Sequence, residues 1–414
     1  MKKAMLFAVM LALFVLQRGA RAEDSPIHGF IQGNYSADTD ARNPDNGRLK
    51  WSEERGQLRL DATREPYRLF IKTDVFYDNV AQAQDVELRE GYVDLTGEKW
   101  DARAGRQIIT WGVGDLIFIN DVFPKDYEAF FSGRPMEYLK KGVDGVKAGL
   151  YPGGVSIEAV AIPFFEPNNL PDTRRFWLFD PMPNVQNRVK KEPASTPRNT
   201  ELAIRAYGSA AGFDASLYAY KGWHRNPSMR PGGMGSPARI TLVYPELRVY
   251  GGSLQKAALD GVMSLEAGYY DSRDGKAGQD PLVPNSQARF LAGYQRQLRE
   301  DLTLGVQYYG ERMMQYSAYE STAMPGFPKE PRYRQVASLR LTQLLMHQNL
   351  RLQWFSFYGI TDRDYLLNPE ARYNFTDNIW AAVGAMIFGG AKDTTQFGSL
   401  DRNDNAYMQV RYEF

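Results

Sequence analysis

Cysteine is absent from all 414 residues. That excludes disulfides, thiolate metal sites and self-attached c-type haem. Histidine is scarce: His28, His224 and His347 stand far apart, and no two share a metal-ligand spacing. There is no Gly-x-Ser-x-Gly and no phosphate-cradling glycine loop. No cofactor and no metal are expected. Excess charge of one sign is missing too, with 50 Lys and Arg against 49 Asp and Glu, so no nucleic-acid partner is implied. Beyond the first residues no apolar run approaches 18, which excludes a second membrane helix.

The N-terminus carries a different signal. Lys2 and Lys3 precede an uncharged apolar stretch from Ala4 to Leu16, and Ala20-Arg21-Ala22 offers small residues at the two positions a signal peptidase reads. This three-part pattern predicts a cleaved secretory signal over 1–22 and a mature domain over 23–414. Removing Lys2, Lys3, Arg18 and Arg21 from the fifty basic residues leaves 46 against 49 acidic ones, a net charge of −3.

The mature part alternates with period two. Ala406, Met408, Val410, Tyr412 and Phe414 oppose Asn405, Tyr407, Gln409, Arg411 and Glu413. Leu69, Ile71, Thr73, Val75 and Tyr77 oppose Arg68, Phe70, Lys72, Asp74 and Phe76. Leu302, Leu304, Val306, Tyr308 and Gly310 alternate likewise with polar partners. In 378–388 the opposite face is apolar as well, through Trp380, Ala382 and Met386, which suggests contact with a plug or a folded-in loop. A mean hydropathy of −0.47 fits membrane strands, because only every second residue meets lipid. The final amphipathic strand ending on Phe414 resembles the insertion signal of bacterial outer-membrane barrels, which implies the barrel-assembly machinery as a partner.

Counting such segments predicts an all-β transmembrane antiparallel barrel of about 18 strands, within a range of about 16–20. The connections alternate. Short ones fall at Thr63–Pro66, Thr96–Lys99, Pro152–Gly154, Ala211–Gly212, Arg299–Asp301 and Thr376–Asn378. Long ones fall at 37–54, 110–140, 163–198, 224–244, 273–285, 315–330 and 390–403. Short periplasmic turns and long outer loops are the barrel asymmetry. Aromatic residues near strand ends, among them Tyr67, Tyr92, Trp100, Tyr207, Tyr250, Tyr269, Tyr270, Tyr308, Tyr333, Trp354, Tyr373 and Trp380, are expected to form interfacial girdles.

Residues 103–111 read Arg-Ala-Gly-Arg-Gln-Ile-Ile-Thr-Trp, followed by Gly112, then by Asp121-Val122-Phe123-Pro124-Lys125-Asp126 and Ile162-Pro163-Phe164-Phe165-Glu166-Pro167. This order resembles porin-like outer-membrane β-barrel families of Gram-negative bacteria, with a looser likeness to alginate-export-type barrels. It is clearest over residues 85–170. The resemblance implies a pore-forming barrel in the bacterial outer membrane and names neither a solute nor a binding residue.

The expected function is passive diffusion of small polar solutes through a water-filled lumen, with anionic solutes one option. Segment 110–140 carries Trp111, Phe118, Phe123, Tyr127, Phe130, Phe131 and Tyr138, too many aromatics for a solvated loop; it either folds inward and narrows the lumen, the favoured reading, or packs over the mouth as a lid. Arg68, Lys72, Arg103 and Gln107 share inward parities and are the candidate pore-lining residues. Gly105 suggests a bulge, since Arg106 falls on the opposite parity. In loop 163–198, Arg174, Arg175, Lys190 and Lys191 form a candidate basic patch for steering anions or binding lipopolysaccharide phosphates. Two other classes remain open: a sheath around an exported multihaem cytochrome, and a polysaccharide exporter. Outer-membrane lipid is the expected surrounding partner, and a homo-oligomer is allowed. Enzymatic activity is not expected. His224 and Ser228 share one loop, but solvation or girdle packing explains His224 more simply.

Overall fold

A strand with one apolar and one polar face survives in lipid only if its sheet closes on itself, because an open edge would leave backbone groups unpaired. The computed structural model describes residues 27–414 apart from 46, 181, 234–236 and 324–327. The expected signal segment 1–22 lies outside the described residues.

In chain order the strands are β1 (Ile27–Asp38), β2 (Leu49–Arg64), β3 (Tyr67–Asp78), β4 (Ala83–Thr96), β5 (Trp100–Gln107), β6 (Val143–Gly153), β7 (Val155–Ile162), β8 (Arg188–Lys191), β9 (Glu201–Ala210), β10 (Phe213–Trp223), β11 (Ser228–Pro231) and β12 (Ile240–Val243). There follow β13 (Glu246–Ala258), β14 (Gly261–Ser272), β15 (Gln287–Arg299), β16 (Leu302–Met313), β17 (Tyr333–Leu345), β18 (Leu350–Gly359), β19 (Asp364–Asn374), β20 (Ile379–Gly390) and β21 (Asn405–Glu413). Eighteen of them form one antiparallel sheet. It closes where β21 returns to β1, with Tyr35 opposite Met408 and Phe30 opposite Glu413. The other three, β8, β11 and β12, make a small sheet over the loop end.

The count matches the expected 18 strands. One boundary differs: β2 starts at Leu49, above the expected apolar belt, where Trp51 and Glu53 turn inward against loops. The expected bulge is displaced by one strand. Gly105 keeps an unbroken register with both neighbours. The slip lies between β3 and β4, where Lys72 faces Glu90, Thr73 faces Leu88, and Arg89 is the extra residue. Gly105 is required for another reason: at φ +128° a Cβ would sit 2.2 Å from the Gly91 carbonyl oxygen.

Period two sorts the side chains as the sequence implies. Leu217, Leu265, Val383, Met408 and Val410 are exposed on the outside, while Gln32, Asn34, Gln409 and Arg411 are buried inside. Tyr67, Trp100, Tyr250, Tyr269, Tyr333 and Trp354 stand outward as girdle residues. Tyr92, Tyr207, Tyr270 and Trp380 do not. They point inward, and each carries an arginine on its ring: Arg103 at 3.7 Å, Arg205 at 4.1 Å, Arg289 at 3.8 Å and Arg372 at 4.0 Å.

Candidate pore lining and constriction

The lumen wall is built by register. Arg59 stands opposite Lys72, and Arg68 opposite Asp94. Asp94 stands opposite Arg103, and Arg103 opposite Lys147. Arg68, Lys72, Arg103 and Gln107 therefore all face inward, as their parities require. Arg68 makes a bidentate pair with Asp61, both contacts at 2.8 Å. Arg103 does the same with Asp94, at 2.6 and 3.0 Å. Lys72 lies 3.7 Å from Glu137. Gln107 is wholly buried and donates to the Gly145 carbonyl at 3.2 Å, so it meets no open space.

Further cations on the same inner surface were not singled out from the sequence. Lys147 and Arg205 share Glu158, at 3.3 and 3.9 Å. On the far side Arg351 faces Arg372 directly. Arg351 pairs with Glu370 at 2.9 Å, while Trp380 lies between Arg372 and Arg411 at 4.0 and 5.0 Å. From β18 through β21 and β1 to β9, the half of the wall nearer the short turns thus carries Arg351, Arg372, Arg411, Arg59, Arg68, Arg103, Lys147 and Arg205. Guanidinium groups paired on one side keep N–H donors for a second acceptor.

Segment 108–142 leaves β5 and crosses the lumen. Trp111 donates to Glu158 at 2.6 Å and packs on Tyr218. Gly112, at φ +79°, lets the chain pass Glu266, where a Cβ would meet the carboxylate at 2.6 Å. Glu266 then accepts four N–H groups: Val113 at 2.8 Å, Gly114 at 3.1 Å, and the Asn120 backbone and amide at 2.8 and 2.9 Å. Asp115 closes a bidentate pair with Arg340 at 2.5 and 2.8 Å. The Tyr270 hydroxyl donates to the Ile119 carbonyl at 2.5 Å.

The segment then returns to the opposite wall. A short helix, Tyr127–Phe131, starts at Asp126, whose side chain accepts the Ala129 N–H at 2.7 Å. Phe131 meets Phe388 at 5.6 Å, which is the contact that the apolar inner face of 378–388 suggests. Tyr138 is enclosed by Arg55, Arg89 and Arg134, at 4.7, 4.8 and 4.3 Å from its ring, and donates to Asp74 at 3.1 Å. The inward fold of 110–140 is therefore observed, pinned on both walls.

Loop 163–198 does not present its four basic residues as one patch. Arg174 is exposed beside Asp172. Arg175 is buried between Asp78 and Glu128, while its carbonyl accepts from Lys50 at 2.7 Å. Lys190 and Lys191 lie exposed on β8. Asn403 pairs its side-chain amide with both backbone groups of Trp177 at 2.7 Å, tying this loop to segment 390–405. Arg225 joins three loops, donating to the Val122 carbonyl at 3.1 Å and to the Glu166 carbonyl and Glu201 at 3.0 Å. Burial pushes the Glu128 carboxyl up to about 7, against the pull of Arg175. His224 is half-buried, and desolvation pushes its imidazole down to about 3; its Nε2 is buried without a partner, and no hydrogen bond joins it to Ser228.

Between the infolded segment and β15–β18 lies a cavity of about 420 Å³. Phe118, Tyr127, Phe131 and Phe357 line its apolar side and Arg289, Glu311 and Arg334 its polar side. Its parts come from distant segments, so no local motif announces it. Among the described residues no cluster of candidate metal ligands occurs.

No family model matches the chain, and no curated protein matches it. Solved structures do. OccD3 (OpdP) of Pseudomonas aeruginosa aligns over 96% of this chain and 92% of its own, with TM-score 0.57 and 10% identity. OccK2 (OpdF) of the same organism, solved in complex with glucuronate, aligns over 95% and 98%, with TM-score 0.57 and 10% identity. OccAB3 of Acinetobacter baumannii aligns over 95% and 99%, with TM-score 0.54 and 11% identity. These are outer-membrane porins, and the chain has their fold.

Proposed function

We propose that the protein is an outer-membrane channel for passive diffusion of small polar solutes, selective for those carrying a carboxylate. One observation carries the reading. A pinned segment narrows the lumen, while the wall beside it keeps a succession of arginines leading toward the short turns. Solutes pass between Lys72, Arg68 and Arg103 on that wall and the infolded segment. Cationic rings in a narrow pore raise the local concentration of anions and set ion preference. The bound glucuronate of OccK2 shows one carboxylate-bearing solute held by a barrel of this fold. Asp61, Asp94 and Glu158 temper the wall, so the reading is one of preference rather than of exclusion. The infolded segment also occupies the space that an enclosed cytochrome would need, which supports a channel over a sheath.

Planar-bilayer recording with purified, refolded protein tests this. Discrete steps with a reversal potential favouring anions, and faster entry of glucuronate than of glucose into swelling liposomes, are expected. A folded barrel that is silent removes the channel reading. A cation preference removes the carboxylate reading alone.

A further inference from the structure

The outside of a membrane barrel meets lipid, and cations there are costly unless they reach the headgroup level. Lys221 on β10 and Arg248 on β13 are directly opposite one another and point outward, near the loop end. Like charges so placed destabilise a ladder unless an anion lies between them. Asp271 stands opposite Arg248, but its carboxylate is engaged by Arg273 at 2.9 Å. Among the described residues no carboxylate pairs with Lys221, Arg248 or Arg198, and Arg248 Nε is buried without a partner. Arg198, Lys221, Arg248 and Arg273 line one recess of about 390 Å³, walled by Trp223 and edged by Glu246 and Asp274.

Below that recess the outer surface falls away. Ala148, Ala159, Ala161 and Ala219 leave a groove of about 690 Å³ that begins at Lys221 and Arg248. Small residues continue it, with Ala206, Gly208, Gly252 and Ala267 in a second groove of about 720 Å³. Tyr250, exposed on the outside, marks the step from recess to groove. A cationic recess set directly above an apolar channel has the shape and polarity of a lipid with an anionic head.

We propose that this face holds one phosphorylated lipid of the leaflet at the loop end. Its phosphate sits among Arg198, Lys221, Arg248 and Arg273, and its acyl chains lie in the alanine-lined groove. Phosphate oxygens supply the acceptors that Arg198, Lys221 and Arg248 lack, and a second acceptor for Arg273 beside Asp271. A second copy of the chain suits the face less well, since a two-fold interface would set the same cations against each other.

Native mass spectrometry of the full barrel tests the site, with lipid A carrying both phosphates and the same lipid A dephosphorylated as probes. The wild type is expected to keep the phosphorylated form under activation that strips the other. K221Q/R248Q is expected to keep at least ten-fold less of it, with unchanged channel conductance showing that the barrel is intact. R198Q/R273Q gives the same direction should the first pair fail to fold. Equal retention of both lipids, equal retention by wild type and variants, or a dimer cross-linked through Tyr250→Cys in place of a bound lipid each overturns the proposal.

Discussion

Replacing Glu266 by Gln is the sharpest perturbation of the constriction. The carboxylate accepts four N–H groups from segment 113–120, two on each oxygen. The amide keeps one accepting oxygen and turns an NH2 toward the other two donors. Two N–H groups then lose their acceptor inside the lumen, at a cost of roughly 1–3 kcal/mol each. The seated segment is weakened by about 2–6 kcal/mol, and each 1.4 kcal/mol is about tenfold in the seating equilibrium. Asp115–Arg340 and Tyr270 still hold, so the segment loosens without leaving. Glu266 sits on β14 with its side chain inside, so the strand ladder is untouched. Single-channel recording at fixed voltage should show a second, larger conductance level, visited many times more often than in the wild type. Heat-modifiable migration of the barrel should change little. A folded E266Q channel with the same single level and the same noise refutes the claim that this carboxylate holds the constriction.

Arg103→Gln removes one lumen cation and leaves Asp94 with only Arg68 at 3.7 Å, so the reversal potential should move toward cations, and an unmoved potential takes Arg103 out of the selectivity wall. Glu128 has its pKa raised to about 7 by burial, so packing of the short helix is tightest in acid and weakens as pH rises from about 4.5 to about 7. Channel noise or protease nicking of segment 121–140 should therefore increase across that window and then level off, whereas E128Q should show no such pH dependence. Tyr138→Phe loses only the hydrogen bond to Asp74, about 1 kcal/mol, whereas Tyr138→Ala also strands three guanidiniums around a void, about 3–5 kcal/mol. Limited proteolysis of the infolded segment should separate the two variants clearly, and equal sensitivity would count against the clustered ring as an anchor.

Strand number and parity were legible because lipid enforces them. An outward position tolerates few polar groups, so Leu69 to Val75 or Ala406 to Tyr412 advertises its face without tertiary information. The aromatic excess in 110–140 announced the inward fold for the same reason: rings are costly in bulk solvent. What partners that segment takes was not legible. Glu266, Arg340 and Tyr270 are single inward residues on strands more than a hundred positions away, and nothing local marks them. The same blindness misplaced Tyr92, Tyr207, Tyr270 and Trp380. An aromatic at a strand end reads alike whether it faces headgroups or carries an arginine, and only the register decides. Arg175 failed as a surface residue because its acidic partners, Asp78 and Glu128, lie in other segments.

The crossing of segment 108–142 from the wall around Glu266 to the wall around Tyr138 also joins parts of the sheet that are far apart in the chain. Its partners lie on β14, on β17 and on β21, up to 276 positions further along the chain. The full set of its contacts therefore exists only in the closed sheet. The segment is thus a strut across the ring, bracing two walls that share no strand pairing.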